Sequence, residues 1–293
     1  MKPPQDRSEA GPAVGFDALL PADIARKAEA TGVAKAGMDG MRLLTLAVLA
    51  GAFIGLGAMA ATTLWTGTAG VMPFGVARML GGLVFALGLI LVVLGGAELF
   101  TGDNLMVMAW ASRRISLAAL LRAWAIVFVG NLVGAVATAV LVFLAGHHLL
   151  AGGEVGATAL AIGRAKVELP FLRAFFLGVL CNVLVCLAVW LCYGARSTTD
   201  KLLAILFPIT AFVAAGFEHS VANMYFVPQA MLILWAAPDA FWTMTGIDPA
   251  AFQAVTPAGL AANLVPVTLG NMVGGGVLVG LVYWFVYLRR PPA

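Results

Sequence analysis

Glu218 and His219 stand side by side in the string Ala215-Gly216-Phe217-Glu218-His219-Ser220-Val221-Ala222-Asn223-Met224, and no other charged residue or histidine occurs from Leu202 to Pro238. Imidazole is the side chain whose ordinary pKa lets it take up and release a proton near neutral pH. An ionisable pair this deep in an apolar run of hydrocarbon length is costly, and such residues face a cavity or a pathway. The bland alternative is a buried pair satisfied by neighbouring helices. Gly216 and the small residues around the pair favour a broken helix, which is how substrate sites are built at a membrane midplane.

The other chemistry-bearing residues exclude more than they offer. Cys181, Cys186 and Cys192 share one apolar stretch without metal-ligand spacing and read as packing thiols. A metalloenzyme needs several suitably spaced ligands, yet His147 and His148 are adjacent at a span end and only His219 lies within a span. No metal, cofactor or enzymatic activity is expected. Of the 293 residues, 62% are hydrophobic and 11% charged, and several runs reach the length of a transmembrane helix, so the chain is an all-α polytopic membrane protein. The net charge of +3 is no argument for nucleic acid, because positive charge in such proteins mostly reports loop placement.

Residues 1–41 form a polar lead without the apolar core of a signal peptide. Its first dozen residues are expected to be disordered. From Ala22 to Ala36 apolar and charged residues alternate at helical spacing, with Pro21 suited to the first turn and Gly32 to the end. This predicts an amphipathic helix, either lying against the membrane or a neighbouring subunit or else simply solvated. A transport domain over 42–288 follows, then a short tail, 289–293. Six spans are predicted: Arg42–Trp65, Met79–Trp110, Ile115–Gly146, Leu172–Tyr193, Lys201–Trp235 and Pro257–Leu288. Each is long enough for the roughly 30 Å apolar layer.

The chain also repeats itself. Gly130-Asn131-Leu132-Val133-Gly134 matches Gly270-Asn271-Met272-Val273-Gly274, and Gly96-Ala97-Glu98 echoes Gly216-Phe217-Glu218. The glycines of the first pair would let helices pack closely. Three spans per half is an odd number, so the halves must be inverted, with the second and fifth helices broken. That is a transporter architecture, the pathway running between the breaks.

These residues resemble the formate/nitrite transporters over nearly the whole chain. The resemblance rests on Phe16-Asp17-Ala18-Leu19-Leu20-Pro21, Met72-Pro73-Phe74-Gly75, Glu98-Leu99-Phe100-Thr101, Leu180-Cys181-Asn182, Gly216 to Met224 and Asn263 to Asn271. Within the family the formate channel branch is the nearer. The resemblance implies an aquaporin-like fold, a homopentamer with one pore per protomer, and bidirectional movement of a small anion such as formate across the bacterial inner membrane. It implies that Phe85, Leu89, Leu99 and Phe212 form apolar constrictions, and that Thr101 and His219 make the central polar contacts. Asn182 and Asn223 become hydrogen-bond partners, Lys166 the basic residue at the periplasmic mouth, and Glu218 a mainly structural neighbour of the histidine.

The same roles make physical sense. Bare charge cannot cross a dry apolar ring cheaply, and His219 could supply the proton that neutralises a weak acid's anion. Lys166 could concentrate anions, and helix N-termini at the breaks could add backbone donors. Nitrite or another weak-acid anion remains open as cargo. A passive channel for neutral solutes is the rival; it has no need of a Glu-His pair, and paired Asn-Pro-Ala motifs are absent.

Lys and Arg set the orientation. The lead, Arg113, Arg114, Arg122, Arg196, Lys201, Arg289 and Arg290 fall on one side, against Arg78, Arg164, Lys166 and Arg173 on the other. Both termini are therefore expected in the cytoplasm. Asp248→Cys should react with a membrane-impermeant thiol reagent in intact spheroplasts, and labelling only after lysis would reverse the orientation.

Overall fold

The computed structural model describes residues 18–289, and among them every regular element is helical. Phe16, Asp17, Arg290 and the first dozen residues lie outside the described residues. Helix α1, Pro21–Ala36, starts with proline in its first turn. It does not stop at Gly32. A β-carbon there would meet the Ala109 β-carbon at 3.1 Å and the Met106 Cα at 3.3 Å, so Gly32 allows a close approach rather than ending the helix. Nor is α1 a solvated helix. Ile24, Ala25 and Ala28 are buried with Met108 and Trp190 of the same chain.

The spans follow in order. Helices α2 (Gly40–Trp65) and α3 (Phe74–Gly95) lead to a break at 96–99; α4 (Phe100–Asp103) and α5 (Val107–Ala111), joined by a 3₁₀ turn, follow it. Next come α6 (Leu117–Leu144), the short α7 (Glu154–Val167), and α8 (Phe171–Gly194). Helix α9 (Thr198–Ala214) ends at a second break, 215–219, before α10 (Ser220–Ala236) and α11 (Asp239–Thr245). Helix α12 (Pro257–Asn271) continues through a π segment, Met272–Leu281, into α13 (Val282–Tyr287). Helices α2, α3, α6 and α8 and the stretch Pro249–Tyr287 are each long and apolar enough to cross a membrane; α10 counts as a sixth only with α11, from which it bends by 107°. The predicted spans match these elements within a few residues. The sequence did not foretell α7, α11 or the π segment. In the last, Gly274, Gly275 and Gly276 remove the side chains that would block a wide turn, and a β-carbon on Gly275 would lie 2.3 Å from Asn182 Nδ2.

Glycine also decides how the helices of each half pack. A β-carbon on Gly134 would fall 1.9 Å from Val48 O, and one on Gly274 2.1 Å from Val179 O, so α6 lies backbone to backbone on α2 and the last span likewise on α8.

The asparagines of the same motifs brace the breaks. Asn131 Nδ2 donates to Ala47 O (2.8 Å) and Glu98 O (2.9 Å), and Oδ1 accepts the Phe100 N–H at 2.9 Å. Asn271 Nδ2 donates to Gly178 O (2.8 Å) and Glu218 O (3.0 Å), and Oδ1 accepts the Ser220 N–H at 3.0 Å. The Glu98 and Glu218 N–H groups donate to Leu46 O and Leu177 O, both at 3.2 Å. Gly96 (φ +78°) and Gly216 (φ +73°) take the left-handed backbone that each break requires. The breaks are therefore equivalent in their hydrogen bonds as well as in sequence.

Each orphaned buried amide group costs roughly 1–3 kcal/mol. Asn131→Ala and Asn271→Ala should each lower the thermal midpoint of the purified protein by many degrees, and by similar amounts. A midpoint unchanged in either variant would mean the break is held by something else.

Candidate functional site

The breaks meet at a histidine. His219 is the N-cap of α10, and its Nδ1 accepts the Ala222 N–H at 3.1 Å. A nitrogen that accepts carries no hydrogen, so the neutral ring holds its proton on Nε2. That atom lies 3.0 Å from Thr101 Oγ1, on the opposite broken span. Both side chains are buried, and the imidazole stacks on Phe212 with centroids 5.9 Å apart.

Around the ring lies a void of only ≈ 10 Å³, lined by Ile54, Phe85, Leu89, Leu99, Val185, Ile209, Phe212 and His219. This is at the threshold for holding one water. Phe85 and Phe212, edge to face at 5.8 Å, also line a larger vestibule of ≈ 250 Å³ beside α7. Leu89 and Leu99 also line a second vestibule, of ≈ 320 Å³, beside α1. Of the four residues expected to constrict a pathway, one pair is thus shared between the void and the vestibule beside α7, which His219 also lines, and the other between the void and the vestibule beside α1.

Each vestibule holds a half-buried lysine paired with a carboxylate. Beside α7, Lys166 Nζ is 2.5 Å from Glu218 Oε1. Asn223 Nδ2 donates to Glu218 Oε2 and to Asn263 Oδ1, both at 2.7 Å, and Asn263 Nδ2 donates to Lys166 O at 2.8 Å. Beside α1, Lys35 Nζ lies 2.6 Å from Glu98 Oε2 and 2.5 Å from Asp103 Oδ1. Burial alone would lower the Lys35 ammonium, but Asp103, Tyr193 and Glu98 outweigh it and hold the group above its ordinary value. Its contribution to seating α1 is therefore complete below the usual lysine range and fades only in stronger alkali.

Most of the residues expected from sequence gather here, with two changes. Asn182 lines neither the void nor a vestibule. It lies behind α4, donating to Thr101 O (3.2 Å), Asn104 Oδ1 (2.9 Å) and Asn271 O (2.8 Å), and so supports main chain. At the starts of α4 and α10, where N–H groups were expected to face an anion, those of Phe100, Ser220 and Ala222 are instead spent on Asn131, Asn271 and His219 Nδ1. Reading the sequence missed Lys35, Asp103, Asn263 and the bracing role of Asn131 and Asn271. The repeat pointed to the last two; nothing in the lead marked Lys35 as belonging to the site. His147 bonds Thr63 Oγ1, and His148 lies between Phe143 and Phe241, both outside the void and its vestibules.

The family model for formate/nitrite transporters matches residues 22–285. The formate channel FocA of Escherichia coli strain K12 is 46% identical over 276 residues, which cover 94% of this chain and 96% of that protein. A probable formate transporter of Methanothermobacter thermautotrophicus is 37% identical over 292 residues, covering 94% of this chain and 100% of the relative. Among solved structures, a pentameric formate channel with formate bound superimposes with a TM-score of 0.81 at 45% identity, covering 85% of this chain and 98% of the other. On sequence and on fold alike, the chain belongs to the formate/nitrite transporter family.

Proposed function

We propose that this protein conducts formate across the bacterial inner membrane, in either direction, as a homopentamer with a pore in each protomer. One observation carries the reading: His219, hydrogen-bonded to Thr101 of the other broken span, lines a void bounded by Phe85 and Phe212 and by Leu89 and Leu99, each pair shared with a vestibule. The related channels support formate as cargo and the pentamer as assembly. The distribution of Lys and Arg supports cytoplasmic termini, with the lead 1–41 on that side and 42–288 as the transport unit.

The geometry suggests how the anion passes. In the vestibule beside α7, the periplasmic one in this orientation, Lys166 is already paired with Glu218, so it draws an anion in without trapping it. The Phe85–Phe212 closure strips water, and charge alone would stop there. At the void the anion can take the Nε2–H of His219 in place of Thr101. The imidazole carries a second proton only if Nδ1 gives up the Ala222 N–H. A bound anion offsets that loss, because it favours the charged ring beside it. That second proton comes from solvent. The Nε2 proton passes to the carboxylate and the cargo leaves as the neutral acid. Nδ1 regains its cap bond once it has lost its own proton and Nε2 has been reprotonated from solvent. Asn223 and Glu218 hold the break that presents the ring, and Asn182 holds Thr101.

His219→Asn tests this without unfolding the break, because asparagine is a strong N-cap. It keeps a hydrogen-bond donor but has no transferable proton. In proteoliposomes the variant should pass formate with its pH dependence and proton movement lost. Wild-type pH dependence and proton stoichiometry in His219→Asn would remove the histidine from proton transfer. Wild-type flux with nitrite exceeding that with formate would reassign the cargo.

A further inference from the structure

Arg78 lines the vestibule beside α7, and its placement also bears on the width of the closure beyond it. It lies in the second turn of α3, with its guanidinium 4.8 Å from the Trp65 ring centroid. Trp65 is fixed in turn by donating Nε1–H to Ala77 O at 3.1 Å. From that shelf Arg78 reaches across to the end of α9, where Nη2 donates to Val213 O and Nε to Ala214 O at 3.3 Å. Both are last-turn carbonyls; Val213 O also accepts the Gly216 N–H at 3.1 Å. Ala214 O accepts no backbone N–H among the described residues, so the guanidinium is its partner.

The same seam between α3 and α9 carries the periplasmic constriction. One turn beyond Arg78, a β-carbon on Gly82 would fall 2.7 Å from Thr210 O, so the helices touch backbone to backbone. One turn further, Phe85 meets Phe212, the residue before Val213. Past the anchored carbonyls the chain turns at Gly216, whose positive φ and missing side chain leave α9 without a rigid continuation. A two-pronged tie at this end therefore sets how far α9 can lean from α3, and with it the gap between the two rings. The other break has no counterpart. When Gly96 is aligned with Gly216, Arg78 falls on Thr198, whose side chain is too short to tie anything.

We propose that Arg78 is a positioning residue for selectivity, pinning the end of α9 to α3 and thereby fixing the Phe85–Phe212 aperture. This rests on the reading of those rings as a constriction in an anion pathway. The guanidinium is suited to the task because its planar fork presents donors in a fixed geometry to two carbonyls, whereas an ammonium is a point charge on a flexible stem.

The test compares acetate with formate flux in proteoliposomes of wild type, Arg78→Met, Arg78→Lys, Phe85→Ala and Arg78→Met/Phe85→Ala, each checked for its oligomer by size. Arg78→Met should raise the acetate-to-formate ratio several-fold. Arg78→Lys keeps the charge but loses the fork, so it should raise the ratio too, by less, with the ionic-strength dependence of formate flux unchanged. In the Phe85→Ala background, Arg78→Met should add nothing further. If Arg78→Met instead lowers both fluxes equally while Arg78→Lys matches wild type, the residue acts only through charge and the proposal falls. It falls equally if Arg78→Met changes the ratio as much without Phe85 as with it. Should Arg78→Met not assemble, the Arg78→Lys ratio decides alone. A Phe85→Ala ratio equal to wild type would overturn the constriction, and with it the proposal. A wild-type protein inactive on formate would overturn the proposed function instead.

Discussion

The structure depends on completing the hydrogen bonds of two interrupted helices. Within a bilayer no water reaches a broken helix, so each freed backbone group needs a protein partner. Asn131 and Asn271 each serve three such groups. At roughly 1–3 kcal/mol for each orphaned group, the two side chains offset a penalty on the order of 10 kcal/mol, as large as the net stability of a typical domain. An amide suits this position because it donates twice and accepts as well, whereas a carboxylate could only accept. The glycines beside both asparagines let the supporting helices close in until the amides are within reach.

Bracing the breaks in this way decides which groups remain for the cargo. The Phe100, Ser220 and Ala222 N–H groups at the breaks are already occupied and are not offered to an anion. The vestibules are moderated in the same manner. Each half-buried lysine faces at least one carboxylate, and Glu218 is itself held by Asn223. Single positive charges in so buried a setting would bind an anion and keep it. Paired ones leave a shallow well, which suits a route that must be left as readily as it is reached. Lys35 adds a second effect by tying α1 to the vestibule it lines.

Much of this was legible in the sequence because hydrocarbon imposes simple rules. Apolar runs of fixed length gave the spans to within a few residues. Glu218-His219 stood out because ionisable groups are rare there, and the repeated Gly-Asn strings gave the inversion. What stayed hidden depended on distance in space. Lys35 reads as one more solvated helix charge until α1 folds back onto the chain. Gly32 looked like a stop because its close neighbours, Met106 and Ala109, are remote in sequence. Asn182 and Asn223 were singled out, but composition cannot say whether an amide faces a cavity or main chain. Helix α7 and the π segment carry no periodic signal strong enough to show, and the bends they accommodate are set by packing.

The Thr101–His219 bond has a consequence of its own. In the empty pathway the imidazole already has a partner of the kind a carboxylate would offer, so arrival of cargo is an exchange of one hydrogen bond for another. Such a swap is nearly balanced in free energy. Thr101 thus acts as a tethered competitor, always on hand to reclaim the ring. On the proposed route that keeps occupancy low and residence short, favouring turnover over capture. It also keeps the centre from standing open: between passages the two spans are latched by the same contact that each traveller must displace.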